Sequence, residues 1–174
     1  MKILFIMTAS IAIKKNFEIL SKLTHDKIII DCILTKNAKK MIQIDKLKKI
    51  IKGKIFTEES EKNNKMLHIR LAQKRDLIVV CPATANIIAK FSNGYADDLA
   101  STSLIAANKE ILIVPAMNTE MWDNPINKKN ISKLINTGIE FIYPVHGRLS
   151  CGDTGVGRLA EPKKIYKTIN QKLD

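Results

Sequence analysis

Runs built almost wholly from Ile, Val and Leu recur along this chain, and between them apolar residues fall three or four positions apart. The runs predict buried strands at residues 2–7, 27–34, 77–81, 111–114 and 139–143. The spaced stretches predict helices near 11–24, 37–51, 65–74, 85–92, 95–107 and 124–137; in the first of them Ile13, Phe17, Leu20 and Leu23 recur at helical intervals. A strand that is apolar throughout, not at alternate positions, is covered on both faces, which is the habit of a parallel sheet. Strands alternating with helices then give a doubly wound α/β fold, expected here as a single three-layer domain over residues 1–174. In such a sheet ligands sit beyond the carboxyl ends of the strands. The segments Thr8-Ala9-Ser10, Thr35, Pro82-Ala83-Thr84-Ala85-Asn86 and Pro115-Ala116-Met117-Asn118 all fall there, so one shared site is expected.

Composition narrows the function classes. No apolar run reaches the roughly 18 residues that cross a bilayer. The opening Met1–Met7 segment is short and lacks a convincing cleavage site, so it reads as a strand and the cytoplasm is the expected location. The chain carries 29 basic and 17 acidic residues, a net charge of +12. Its lysines are scattered through Lys14-Lys15, Lys39-Lys40, Lys46 to Lys54 and Lys128-Lys129, with no recognition-helix signature and no aromatic-interleaved basic motif. A nucleic-acid partner is therefore not expected, whereas a small phosphorylated anion suits such a surface. The three cysteines, Cys32, Cys81 and Cys151, form no CxxC pair and imply neither a metal site nor a disulfide framework. Cys32 and Cys81 lie in strand-like runs and are expected in the core.

Cys151 differs. It stands in Arg148-Leu149-Ser150-Cys151-Gly152-Asp153-Thr154-Gly155-Val156-Gly157-Arg158, a charged, Gly-rich segment expected to be a mobile loop. Two readings stand on these residues alone: a surface loop with a spare cysteine, or a lid that carries a thiol to a bound substrate while Arg158 grips an anion. The first strand-to-helix turn, Met7-Thr8-Ala9-Ser10-Ile11, contains neither GxGxxG nor GxxxxGK[ST], so dinucleotide and P-loop fingerprints are missing. Thr8, Ser10, Thr35 and Thr84 remain. Each alone is more often a helix cap than a ligand contact, but four at one end of a sheet suggest a mononucleotide phosphate pocket.

Three segments together resemble the flavin-dependent cysteine decarboxylases, and among them the branch that acts on phosphopantothenoylcysteine in coenzyme A biosynthesis. The first runs from His68-Ile69-Arg70-Leu71-Ala72 through Pro82-Ala83-Thr84-Ala85-Asn86 to Ala96-Asp97-Asp98-Leu99. The second is Pro115-Ala116-Met117-Asn118-Thr119-Glu120-Met121-Trp122, matching PxMNxxMW. The third is the Cys151–Pro162 stretch, which is similar to the family's substrate clamp, placed here at about 145–162. The resemblance implies a Rossmann-like flavoprotein with FMN bound between subunits of a homotrimer, sometimes assembled into dodecamers. It implies oxidation of the cysteinyl thiol carbon, loss of carbon dioxide and reduction of the resulting enethiolate. Phosphopantetheine is then the product, and a separate synthetase is expected to supply the substrate.

Carried onto this chain, the resemblance assigns His68 as a base and Cys151 as the proton donor that completes reduction. It assigns Asn118, Met121, Gly155, Arg158, Ala160 and Glu161 to the substrate, and Ala9, Ser10, Ile11, Thr35, Ala83, Thr84, Ala85 and Asn86 to FMN. Asparagine suits its role because an amide donates to a carboxylate without surrendering a proton, and imidazole suits general-base work near neutrality. Trp122 and Met117 are read as packing. Ala9 stands where the family has glycine, Ile13-Lys14 where it has Ala-Tyr, and Met41 where it has an aromatic residue. The alternatives are a peptidyl-cysteine decarboxylase that stops at an enethiol, a flavin prenyltransferase, and a non-catalytic flavin-binding regulator. The clamp thiol argues against the first two, and the joint presence of His68 and Cys151 against the third.

Overall fold

In the computed structural model, which describes residues 1–62, 64–150 and 152–173, six parallel strands form the central sheet. They are β1 (Lys2–Met7), β2 (Ile29–Leu34), β3 (Ile55–Phe56), β4 (Leu77–Ala83), β5 (Ile111–Pro115) and β6 (Glu140–Phe141), in the order β3-β2-β1-β4-β5-β6. This is the doubly wound arrangement read from the sequence. Within β1 the side chains divide by parity: Ile3, Phe5 and Met7 join one core, Leu4 and Ile6 the other. The first core is closed by α1 (Asn16–His25), α2 (Ile44–Ile50) and α9 (Pro162–Leu173). The second is closed by α4 (Leu67–Gln73), α5 (Ala85–Ser92), α6 (Leu99–Ile105) and α8 (Pro125–Ile135). Helices therefore cover both faces, which is why the strands tolerate no polar alternation. Among the described residues no helix is long and apolar enough to cross a membrane.

Several elements differ from the pattern-based expectation. The helix expected at 37–51 is a single turn at Ala38–Lys40 followed by α2, and the one at 11–24 opens as a tight turn, Ile11–Lys15, before α1. The helix expected at 95–107 shortens to α6, because Asp98 and Ser101 form a reciprocal cap that fixes its start. β3, the acidic α3 (Glu58–Lys62), α7 (Thr119–Asp123) and α9 were not expected at all. The segment read as an irregular loop is an antiparallel ribbon, β7 (Val145–Arg148) and β8 (Thr154–Arg158). Cys151 lies outside the described residues. Cys32 and Cys81 are fully buried, and burial raises both thiol pKa values well above the ordinary range.

One charged residue sits inside a central strand. Asp31 in β2 is 3% exposed; one of its carboxylate oxygens accepts the Lys54 N–H at 2.7 Å and the other pairs with the buried Arg75 guanidinium. Gly53 makes this possible, since a Cβ there would lie 2.0 Å from the Ile30 carbonyl oxygen. Asp31→Ala strands Arg75 as an uncompensated buried cation and is expected to cost about 3–5 kcal/mol. Urea unfolding measures this; a loss below about 1 kcal/mol would show that solvent reaches Arg75.

Candidate active site

β1 and β4 lie side by side where the strand order reverses, the point at which a doubly wound sheet places its ligands. Thr8 clips the two ends together. Its hydroxyl donates to the Pro82 carbonyl at 2.7 Å and accepts the Thr84 N–H at 3.0 Å, with only 3% of the residue exposed. The hydroxyl that opened the expected phosphate set is thus committed to the fold. Ser10 and Thr35 each accept a local amide, from Ala12 and Ala38 at 3.4 Å. Thr84 makes no side-chain cap bond at the start of α5.

Two cavities open here, of about 560 and 640 Å³, and both are walled by Ala9 and Thr84. The first is further lined by Ser10, Ile11, Asn118, Met121 and Arg158, which with Ala9 and Thr84 brings seven of the expected residues together. The second takes in Thr35 and Asn86. Sequence reasoning missed the cations Lys15 and Arg148, which line the first cavity alongside Arg158. They come from the turn after β1, from β7 and from β8, and only the fold assembles them. It also missed Glu58, Lys90 and the Asp97-Asp98 pair as walls of the second cavity. Partial burial works to lower the Lys90 pKa, but hydrogen bonds to Asp97 and Asp98 outweigh it and the net shift is upward. Burial raises Glu58, although both of its oxygens accept the Leu99 N–H, at 3.0 and 3.1 Å.

Asn118 has a fixed orientation. Its side-chain oxygen accepts the Met121 N–H at 2.9 Å and caps α7. The amide nitrogen makes no hydrogen bond among the described residues, and the side chain lines the first cavity, so the group on offer there is a donor. Trp122 is buried in the second core, and Tyr143 meets its ring edge-on at 6.0 Å.

The ribbon is docked against the segment that carries Asn118. The Met117 N–H donates to the Gly157 carbonyl at 3.0 Å. A Cβ on Gly155 would lie 2.1 Å from Thr119 Oγ1, and one on Gly157 2.2 Å from the Met117 carbonyl oxygen. These glycines, read from sequence as marks of a mobile loop, are required by close approach; Gly157 also has φ +152°, where a side chain is strained. Gly157→Ala should therefore unseat the ribbon from the Met117–Thr119 segment and raise the KM of a ligand held in the first cavity at least tenfold, with the sheet still folded by circular dichroism. An unchanged KM would mean that the ribbon does not shape the first cavity.

The remaining expected residues lie elsewhere. Ala83 is fully buried and its carbonyl accepts the Ala116 N–H, Ala85 stands between the wall residues Thr84 and Asn86 without lining either cavity, and Ala160 is buried in the first core. Gly155 packs on Thr119, and Glu161 pairs with Arg158 at 2.6 Å outside both cavities. His68, on α4, lines neither cavity, and its Nδ1 is held by Glu61.

The sequence profile of the flavoprotein family matches residues 1–174. This chain belongs to the flavoprotein family. It is 32% identical over 176 residues to a probable phosphopantothenoylcysteine decarboxylase of Streptococcus mutans, covering 99% of this chain and 98% of that protein. It is 38% identical over 167 residues to the coenzyme A biosynthesis bifunctional protein CoaBC of Bacillus subtilis, covering 95% of this chain but only 41% of that longer protein. Its fold superposes with a TM-score of 0.89 on a Cys-to-Ser variant of a PPC decarboxylase complexed with pantothenoylaminoethenethiol, at 30% identity and covering 98% of this chain and 96% of that one. It superposes with a TM-score of 0.86 on the FMN binding protein AtHal3, at 31% identity and covering 98% and 95%.

The cleft of this flavoprotein fits a flavin mononucleotide on its own chemistry. Ala9, Ala12 and Ala116 keep the wall of the first cavity low, and Ile11, Met117 and Leu159 make it apolar, as a flat ring requires. The amides that open α5 carry no side-chain cap, which leaves a helix N-terminus for a phosphate.

Proposed function

We propose that this chain is an FMN-dependent decarboxylase that converts phosphopantothenoylcysteine to phosphopantetheine. The observation that carries the reading is the junction at Ala9 and Thr84, where a cation-lined cavity presenting the Asn118 amide opens onto a cleft of mononucleotide size. The substrate has a carboxylate beside its thiol carbon and a phosphate at its far end. Lys15, Arg148 and Arg158 offer charge to those two anions, whereas a peptidyl cysteine has no phosphate to receive. The match to the Streptococcus mutans protein over nearly its whole length supports the same choice.

When bound, FMN supplies reversible oxidation of the thiol carbon, which gives the neighbouring carboxylate an electron sink. The chain's own residues do the rest. Asn118 Nδ2 holds the carboxylate by donation, in an orientation already set by its bond to Met121. Met121, whose N–H meets Asn118, keeps that end of the cavity apolar, which favours the neutral carbon dioxide over the carboxylate. His68 accepts a proton from the substrate. Cys151 returns a proton to the enethiolate; its chain neighbour Ser150 lines the first cavity. The Cys-to-Ser relative that holds an aminoethenethiol supports this last assignment. His68 lines neither cavity of its own chain, which supports the homotrimer implied by the resemblance, with the histidine of one copy serving the cleft of another.

FMN-reconstituted protein is expected to release carbon dioxide from phosphopantothenoylcysteine, and at least tenfold more slowly from the same compound without its phosphate. Release from a C-terminal cysteinyl peptide, with none from phosphopantothenoylcysteine, would remove this reading.

A further inference from the structure

Glu61 and His68 meet across the gap between α3 and α4. A carboxylate oxygen of Glu61 contacts His68 Nδ1, and the two side chains are 29% and 25% exposed. The helix that carries Glu61 is fixed on several sides. Glu58 accepts the first amide of α6 with both oxygens, Glu59 pairs with Lys39 at 3.6 Å, and Ser60 Oγ accepts the Thr57 N–H at 3.0 Å. Glu58 and Glu61 are three residues apart and so share one side of the turn. At the other end of the gap, Met66 holds a left-handed backbone (φ 60°) at the entry to α4, a strained conformation two residues before His68. Both partners of the contact are thus held from outside it, which a chance pair of surface charges would not need.

We propose that Glu61 is a positioning residue for His68, resting on the reading of His68 as the base. An ionised carboxylate only accepts, so the proton of a neutral imidazole lies on Nδ1 and the lone pair is left on Nε2. Nε2 then takes the substrate's proton, and the electron pair remains on the substrate. The same contact sets the rotation of the ring, as a carboxylate does for histidine bases and metal ligands elsewhere. A partly exposed pair of this kind contributes little to stability, so its loss should register in catalysis and not in melting.

The test uses the full-length, FMN-loaded protein with ¹⁵N-labelled histidine, and the variants Glu61→Ala, Glu61→Gln and His68→Asn. His68→Asn identifies the His68 signal among the three histidines and should itself abolish turnover. In the unaltered protein the long-range ¹H–¹⁵N spectrum is expected to show His68 protonated on Nδ1. Glu61→Ala should move that population toward the Nε2–H form and lower kcat about tenfold or more at unchanged KM and melting temperature. Glu61→Gln, which keeps an acceptor on Nδ1, should restore kcat to within about threefold. A native His68 already protonated on Nε2, or a Glu61→Ala protein with native tautomer and native kcat, overturns the proposal while an inactive His68→Asn leaves the decarboxylase reading standing. An active His68→Asn protein overturns both the base assignment and the role of Glu61.

Discussion

Asn118→Asp is expected to leave the protein as stable as before and to lose nearly all decarboxylation. The side-chain oxygen of residue 118 caps α7 by accepting the Met121 N–H at 2.9 Å. Aspartate caps a helix as well as asparagine does, and its charge favours a helix N-terminus. The fold therefore has no reason to weaken. What changes is the group turned toward the cavity, where a donating amide becomes a second carboxylate oxygen facing the substrate's own carboxylate. Two unit charges about 4 Å apart at an effective dielectric constant near 20 repel by about 4 kcal/mol, which is roughly a thousandfold in rate or affinity. Asn118→Ala loses the donor and the cap together, so it should lower kcat/KM and also cost about 1 kcal/mol of stability. Steady-state kinetics beside thermal melting separates the two effects. A stable, fully active Asn118→Asp protein would show that residue 118 only caps α7.

Cys151→Ser is expected to change the product, with the rate of carbon dioxide release less affected. A serine hydroxyl is a far weaker acid than a thiol, so the proton that completes reduction of the enethiolate is no longer delivered. Carbon dioxide should still be released once per bound flavin, but the organic product should leave, or stay bound, two hydrogens lighter than phosphopantetheine. The described residues on either side of position 151 border the first cavity or close the turn. Leu149 and Ser150 line the first cavity, and the Leu149 N–H donates to the Asp153 carbonyl at 2.8 Å, which closes the turn between β7 and β8. Chromatography of the product, with reduced flavin followed by absorbance, reads the outcome. Normal phosphopantetheine formed at the native rate by the serine variant would take the proton donor away from position 151.

The sheet was legible because β1, β4 and β5, and β2 apart from Asp31, are apolar on both faces, a pattern no amphipathic helix of that length mimics. β3 was not, because two residues carry no period, and α3 was not, because Glu58-Glu59-Ser60-Glu61 contains no apolar position at all. α9 could have been found from Pro162 at its start and from Ile165 and Ile169 one turn apart. The ribbon was read as a loop because its glycines suggest freedom. They are there because Thr119 and the Met117 carbonyl leave no room for a Cβ, a fact that lies in the contact and not in either segment alone. The site shows the same division. Asn118, Met121 and Arg158 were found through motifs and do share one cavity. Lys15 and Arg148 lie 133 positions apart and read as two more of many surface cations until the fold sets them together. Thr8 gave the opposite error, since nothing in a strand-turn-helix motif says that a hydroxyl will be consumed by the Pro82 carbonyl and the Thr84 amide.

Mass spectrometry of the product formed from phosphopantothenoylcysteine by the unaltered, FMN-loaded protein tests the central claim most directly. The account predicts a product lighter than the substrate by carbon dioxide alone, which is phosphopantetheine. A product lighter by carbon dioxide and two further hydrogens, or an unchanged substrate, would contradict it.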